Sequence, residues 1–252
     1  MSLRSRYVVP AAVVALLVAA WWISVVVSDT PFFPTPKEVL FGVVELARQG
    51  TLVRHVAASL MRVTVGYLLA ASIAIPLGVL MGWFGGLFTA LNPAIQMLRP
   101  ISPIAWIPLA ILWFGVGNMS PIFLIFLSSF FPMVVGTASG VQAVERNYIR
   151  AARNFGFSGH RLLRQVVVPA ALPQIIVGMR LGLGIAWLVV VAAEMVAINS
   201  GLGYLIIDSR NAGNRYDLVV ASMVIIGVIG FLLDILMRKL DNLDEVRWRY
   251  AR

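Results

Sequence analysis

Three arginines, Arg146, Arg150 and Arg153, recur at i, i+4 and i+7. On a helix that spacing makes one cationic stripe, suited to lipid phosphate. Beside it Val144, Tyr148, Ala151, Ala152 and Phe155 form an apolar face, and Gly156 supplies the residue that ends such a helix. A second short helix is expected from about His160 to Val167, with Pro169 and Pro173 breaking the chain after it. A rigid two-helix elbow of this kind suits mechanical coupling to another protein; periodicity fits a helix lying on a membrane surface equally well.

Other ionisable residues are few. Glu194 and Arg180 lie fourteen positions apart, about 21 Å along a helix and near one face. Such groups at membrane depth face protein or water; an interfacial anchor is the simpler reading of both. Asp234 is a structural partner for Arg180. His55 and His160 are the only histidines, and the expected topology puts them in opposite aqueous regions, so they cannot share a metal. There is no cysteine, hence no disulfide, thiolate metal site or cysteine nucleophile. No Gly-x4-Gly-Lys-Ser/Thr phosphate loop is present, so the chain has no means of using ATP alone.

The surrounding composition names the solvent. Of 252 residues, 60% are hydrophobic and 12% charged, the latter about half the share in soluble domains. A soluble globule and a disordered chain are both excluded. The net charge of +9 does not indicate nucleic acid, because the arginines sit between apolar runs rather than in one stripe with interleaved aromatics.

A crossing helix needs about 20 mostly apolar residues. Charge-free runs and turn signals predict six spans, near 8–27, 63–84, 101–116, 121–142, 173–195 and 218–236, joined by a 143–172 loop in one domain, 1–252. The expected fold is therefore all-α with six transmembrane helices. Fourteen Lys and Arg fall on the side of the termini and six on the other; the positive-inside rule then makes both termini cytoplasmic. Thr35-Pro36-Lys37-Glu38 reads as a capping box opening a short interfacial helix whose apolar face is Val39, Leu40, Val43, Val44 and Ala47. Pro76, Pro108 and Pro132 should kink or interrupt their spans. Glycines at 78, 82 and 86, at 136 and 140, and at 178 and 182 let backbones approach closely, within the chain or at a dimer seam.

One motif carries a resemblance. Ala151-Ala152-x3-Gly156-x9-Val166-x-Val168-Pro169 resembles the loop signature of ABC importer permeases, E-A-A-x3-G-x9-I-x-L-P. It departs at Arg150, where the family has Glu, and conservatively at Val166 and Val168. Arg99-Pro100-Ile101-Ser102-Pro103-Ile104-Ala105-Trp106-Ile107-Pro108 and the stretch from Glu194 to Asn211 are similar to the nitrate/sulfonate/taurine-type permeases. The resemblance covers about residues 35–237. It implies a prokaryotic inner-membrane permease that imports a small anion or organic solute. The implied assembly has two copies of this chain, two ATPase subunits that hold ATP and magnesium, and an extracytoplasmic binding protein, within membrane lipid. The chain itself would be no enzyme and hold no cofactor.

It also implies that Tyr148, Arg150, Ala151, Ala152, Phe155, Gly156 and Ser158 couple to the ATPase. Ser102, Trp106, Ser128, Ser129, Trp187 and Glu194 are the pathway candidates. The rival classes have less support: a secondary transporter lacks an inverted half-repeat, a channel lacks a charged ring, and an enzyme lacks a metal or paired-carboxylate motif.

Overall fold

The computed structural model describes residues 3–28 and 32–241. All regular elements among them are helical. Its elements are α1 (Leu3–Ser28), α2 (Pro36–Arg48), α3 (Thr51–Trp83), α4 (Gly85–Leu98), a 3-10 turn (Pro103–Trp106), α5 (Ile107–Phe114), α6 (Met119–Gln142), α7 (Arg146–Asn154), α8 (Gly159–Leu162), a π turn (Leu163–Val167), α9 (Val168–Ala197), α10 (Leu202–Asn211) and α11 (Tyr216–Asp241).

Four described helices are long and apolar enough to cross a membrane: Thr51–Trp83, Met119–Gln142, Gly159–Ala197 and Tyr216–Lys239. A fifth crossing exists only if Gly85–Leu98 and Pro103–Phe114, bent by 84°, are taken as one. The expectation of six spans is thus corrected, and the even-number argument that put both termini in the cytoplasm goes with it. Two elements account for the difference. At the expected first span, 8–27, helix α1 is present as Leu3–Ser28, and its apolar part among the described residues, Ala12–Ser28, is shorter than the four crossing helices. The expected 101–116 span is charge-free but not one helix, because Pro100, Pro103 and Pro108 leave only the eight residues of α5 as regular helix. Helix α4 fills what the sequence reading treated as the loop 84–100.

The core is three helices side by side, α3 against α6 and α6 against α9. Small residues allow the approach. A Cβ on Gly78 would meet Thr137 and the Val134 carbonyl, and one on Gly82 would meet Val141 and the Ala138 carbonyl. Gly136 and Gly178 face each other backbone to backbone, and Gly140 packs under Gln174. Six of the seven predicted glycines therefore serve packing within the chain, while a Cβ on Gly86 would meet open space. Lipid gives no hydrophobic push between helices, so this contact depends on close van der Waals fit. Gly136→Leu is expected to force α6 off α9, since the atom met first is the Gly178 Cα, 2.9 Å from the added Cβ, and a backbone cannot swing aside. The thermal midpoint in detergent should fall by several degrees, with Gly86→Leu unchanged as the control.

Prolines do not break these helices. Pro76 lies inside α3 and Pro132 inside α6. Before α9 the backbone widens into the π turn, where the Val168 N–H donates to the Leu163 carbonyl. That i→i+5 register makes room for Pro169, which lacks an N–H and would otherwise crowd the preceding turn. Gly159 to Ala197 consequently runs as one helix of 39 residues, where the sequence reading expected a stop.

At α2 the capping box is present: the Thr35 N–H donates to Glu38 Oε2 at 2.7 Å, and the Glu38 N–H to Thr35 Oγ1 at 3.3 Å. The buried face differs from the expected one. Val39, Gly42 and Leu46 are buried, while Leu40, Val44 and Ala47 are exposed. Gly42 sets the rotation, because it lets α2 sit on the Asp217 carbonyl, Leu218 and Ala221 at the start of α11. Arg215 secures the same corner with ion pairs to Glu45 (2.7 Å) and Asp217 (2.8 Å). Hydrogen bonds to those carboxylates, Asp217 first, hold the Arg215 guanidinium protonated above its ordinary range.

Candidate functional site

The elbow between α6 and α9 is built by local rules. Helix α7 ends in a Schellman motif: the Phe157 N–H donates to the Ala152 carbonyl at 3.0 Å and the Gly156 N–H to the Arg153 carbonyl at 2.9 Å. Gly156 has φ +83°, which a residue with a Cβ rarely adopts. Ser158 then turns the chain into α8, its carbonyl accepting from the Arg161 and Leu162 N–H groups. The Arg161 guanidinium lies 4.8 Å from the centre of the Phe157 ring, pinning the corner from outside.

Packing splits the expected apolar face in two. Val144 and Ala152 are buried and Ile149 is half-buried; Val144 and Ile149 belong to a cluster with Leu163, Val167 and Ala171. Tyr148, Ala151 and Phe155 point outward at i, i+3 and i+7, and the Phe155 side chain is 84% exposed. Arg150 and Ser158 are exposed, and so is Gly156 at the corner. The elbow therefore offers an apolar stripe anchored from beneath, with Arg146, Arg150 and Arg153 exposed on a different face of α7.

At the opposite end of α9 sits a buried charge network that sequence reasoning largely missed. Arg62 is 1% exposed and Glu194 is fully buried; Arg62 Nη1 lies 2.6 Å from Glu194 Oε1. Ser59 Oγ donates to the same carboxylate at 2.8 Å. Arg62 also donates to the Ser200 carbonyl (2.9 Å), Ser200 Oγ and Asn118 Oδ1 (2.9 Å). The first N–H groups of α10 close the network: Gly201 donates to His55 Nδ1 at 2.9 Å, Leu202 to Ser59 Oγ at 2.9 Å and Gly203 to Glu194 Oε2 at 3.0 Å. These are the orphan donors of a helix start, satisfied here by side chains of other helices. Gly201, with φ +109°, and Gly203 leave room for it, since a Cβ on the first would fall on the Glu194 carboxylate and one on the second on the Val191 carbonyl.

His55 is thus buried, not in an aqueous region as the sequence reading held, whereas His160 is exposed. A signal for the network existed. His55, Ser59 and Arg62 stand at i, i+4 and i+7, a polar stripe on an otherwise apolar helix, and α3 starts twelve residues before the expected 63.

The remaining candidates scatter. Ser128 Oγ donates to its own helix at Ile125, Ser129 Oγ reaches the Gly182 carbonyl at 3.4 Å, and Trp187 Nε1 donates to the Ile226 carbonyl at 3.1 Å. All three residues are buried between helices. Ser102 is exposed and Trp106 half-buried at the break between α4 and α5. Arg180 pairs with Asp234 at 2.8 Å, as anticipated. Among the described residues, no group of three or more His, Asp or Glu side chains stands together to hold a metal.

A glycine-packed core of crossing helices with an elbow at one end defines a polytopic membrane protein. Comparison with known proteins makes this specific. Residues 74–243 match the family model "Binding-protein-dependent transport system inner membrane component". The taurine transport system permease protein TauC of Escherichia coli is 37% identical over 90% of this chain and 85% of its own length. The nitrate import permease protein NrtB of a Synechocystis strain is 34% identical over 93% and 88%. In fold, the chain resembles the solved MetNI methionine ABC transporter in an inward-facing conformation. The TM-score is 0.65 at 19% identity, covering 75% of this chain and 96% of that one. The chain belongs to the binding-protein-dependent inner-membrane permeases of ABC transporters. It is a multi-pass membrane subunit and not itself the ATPase.

Proposed function

We propose that this permease imports a small anion or zwitterion of the nitrate, sulfonate or taurine kind. It works as a pair of identical chains driven by two ATPase subunits and supplied by a substrate-binding protein. The substrate class is supported by relatives named for taurine and nitrate transport. The observation that carries the mechanism is the outward stripe of Tyr148, Ala151 and Phe155 on an elbow continuous with α9.

ATP binding closes the ATPase pair and displaces the two elbows. Ala152 and Gly156 give the elbow its shape, Tyr148 and Phe155 are its anchors, and Arg150, Ala151 and Ser158 lie on the contact surface. Arg150 reverses the charge of the loop signature that the chain resembles, so an acidic patch on the ATPase is the matching surface. The pathway follows the exposed side of the α4–α5 break, past Ser102 and Trp106, while Ser128, Ser129, Trp187 and Glu194 hold the helices that move.

The test is uptake of labelled nitrate and labelled taurine by vesicles holding the complete complex, with the cognate binding protein outside. Accumulation of at least one of the two is expected only with ATP on the ATPase side. Accumulation driven by an ion gradient with the ATPase absent would overturn the reading.

A further inference from the structure

The break between α4 and α5 lies at half the depth of the helix bundle. Phe88, Asn92, Ile95 and Gln96 of α4 line a cleft with Val134, Val135, Ala138 and Ser139, in the second half of α6. Ile107 and Ala110 pack with Leu124, near the start of α6, and with Val189 and Ala193 of α9. Val134 and Leu124 are ten residues apart, about 15 Å along α6. The non-helical stretch between α4 and the 3-10 turn falls between those two levels.

Arg99 caps α4 at this level. Its side chain is exposed and, among the described residues, makes no ion pair and no hydrogen bond. Two constraints then act on one spot. Backbone outside a helix at membrane depth must be covered by protein or line water. A guanidinium at that depth must do the same, since hydrocarbon offers it no partner. With no acid beside it among the described residues, Arg99 has water and solute left to answer its charge.

We infer that Arg99 lines the water-filled pathway at the bilayer midplane and is the cation that meets the anionic group of the passing solute. The inference rests on the substrate class proposed above. Its chemistry is a charge-assisted hydrogen-bond fork to a nitrate or sulfonate group. The two copies would bring two such cations to one passage, letting an anion exchange partners instead of shedding water alone.

Two measurements on the assembled complex test it. The chain has no cysteine, so Arg99→Cys is the single thiol of this subunit. A charged, membrane-impermeant methanethiosulfonate reagent should label it in at least one nucleotide state, and should not label Leu112→Cys, which is 77% exposed on the apolar side of α5. In vesicles, Arg99→Gln should lower ATP-driven nitrate or taurine uptake more than tenfold, with the ATPase still bound, and Arg99→Lys should recover part of it. An inert Arg99→Cys in every state overturns the inference, and so does Arg99→Gln uptake equal to wild type. Wild-type vesicles that move neither anion overturn the substrate class, and the role of Arg99 in meeting an anion falls with it. Wild-type uptake that survives Arg99→Gln removes the Arg99 inference alone.

Discussion

Glu194→Ala is expected to cost roughly 3–5 kcal/mol of stability, the usual effect of leaving one member of a buried ion pair alone. The Arg62 guanidinium would keep its Ser200 and Asn118 partners but would hold a positive charge where Glu194 now answers it. The Gly203 N–H at the start of α10 would lose its acceptor as well. Thermal unfolding in detergent, followed by circular dichroism or by the tryptophans, reads the loss. Replacing both partners, Arg62→Met with Glu194→Met, should recover much of it, because a matched apolar pair removes the stranded charge. A double variant as unstable as the sum of the single ones would show that the pair holds α10 through its hydrogen bonds more than through charge balance.

Phe155→Asp should leave the permease folded and release the ATPase. The side chain is 84% exposed, so its loss opens no cavity, and an aspartate there places a charge where an aromatic anchor would be enclosed. Interface anchors of this type contribute about 2 kcal/mol or more, which corresponds to roughly thirtyfold weaker binding. Co-purification of the ATPase with the tagged permease measures it, and ATP-driven uptake should fall in parallel. Tyr148→Asp should act in the same direction. Retention of the ATPase by both variants, with normal uptake, would place the contact elsewhere on the chain.

Sequence patterns carried some of this molecule and not the rest, for identifiable reasons. The Thr35 capping box, the Gly156 stop and the Arg180–Asp234 pair were legible because each depends on residue types at short or helical spacing. The bounds of α6 were legible because its 24 residues coincide with an apolar run. Span counting failed at α4 and α5, where apolar character persists through three prolines and the backbone does not. The start of α3 was placed too late because Arg54, His55 and Arg62 read as solvated charges. Burial of Arg62 depends on Glu194, 132 positions away, and no local pattern reports such a partner. The π turn was missed for a related reason: Pro169 and Pro173 signal a break, and only a change of helical register avoids one.

That register change has a mechanical outcome. At about 1.5 Å per residue, the 39 residues from Gly159 to Ala197, π turn included, make a continuous connecting rod near 58 Å long. Its foot sits beside the proposed docking corner, and Glu194 near its head clasps Arg62 and the first turn of α10. A push at the foot has no loop in which to dissipate, so it reaches the far leaflet as displacement of that clasp. Under the proposed coupling, nucleotide turnover on one face and the posture of α10 on the other would be geared to each other by a single piece of backbone.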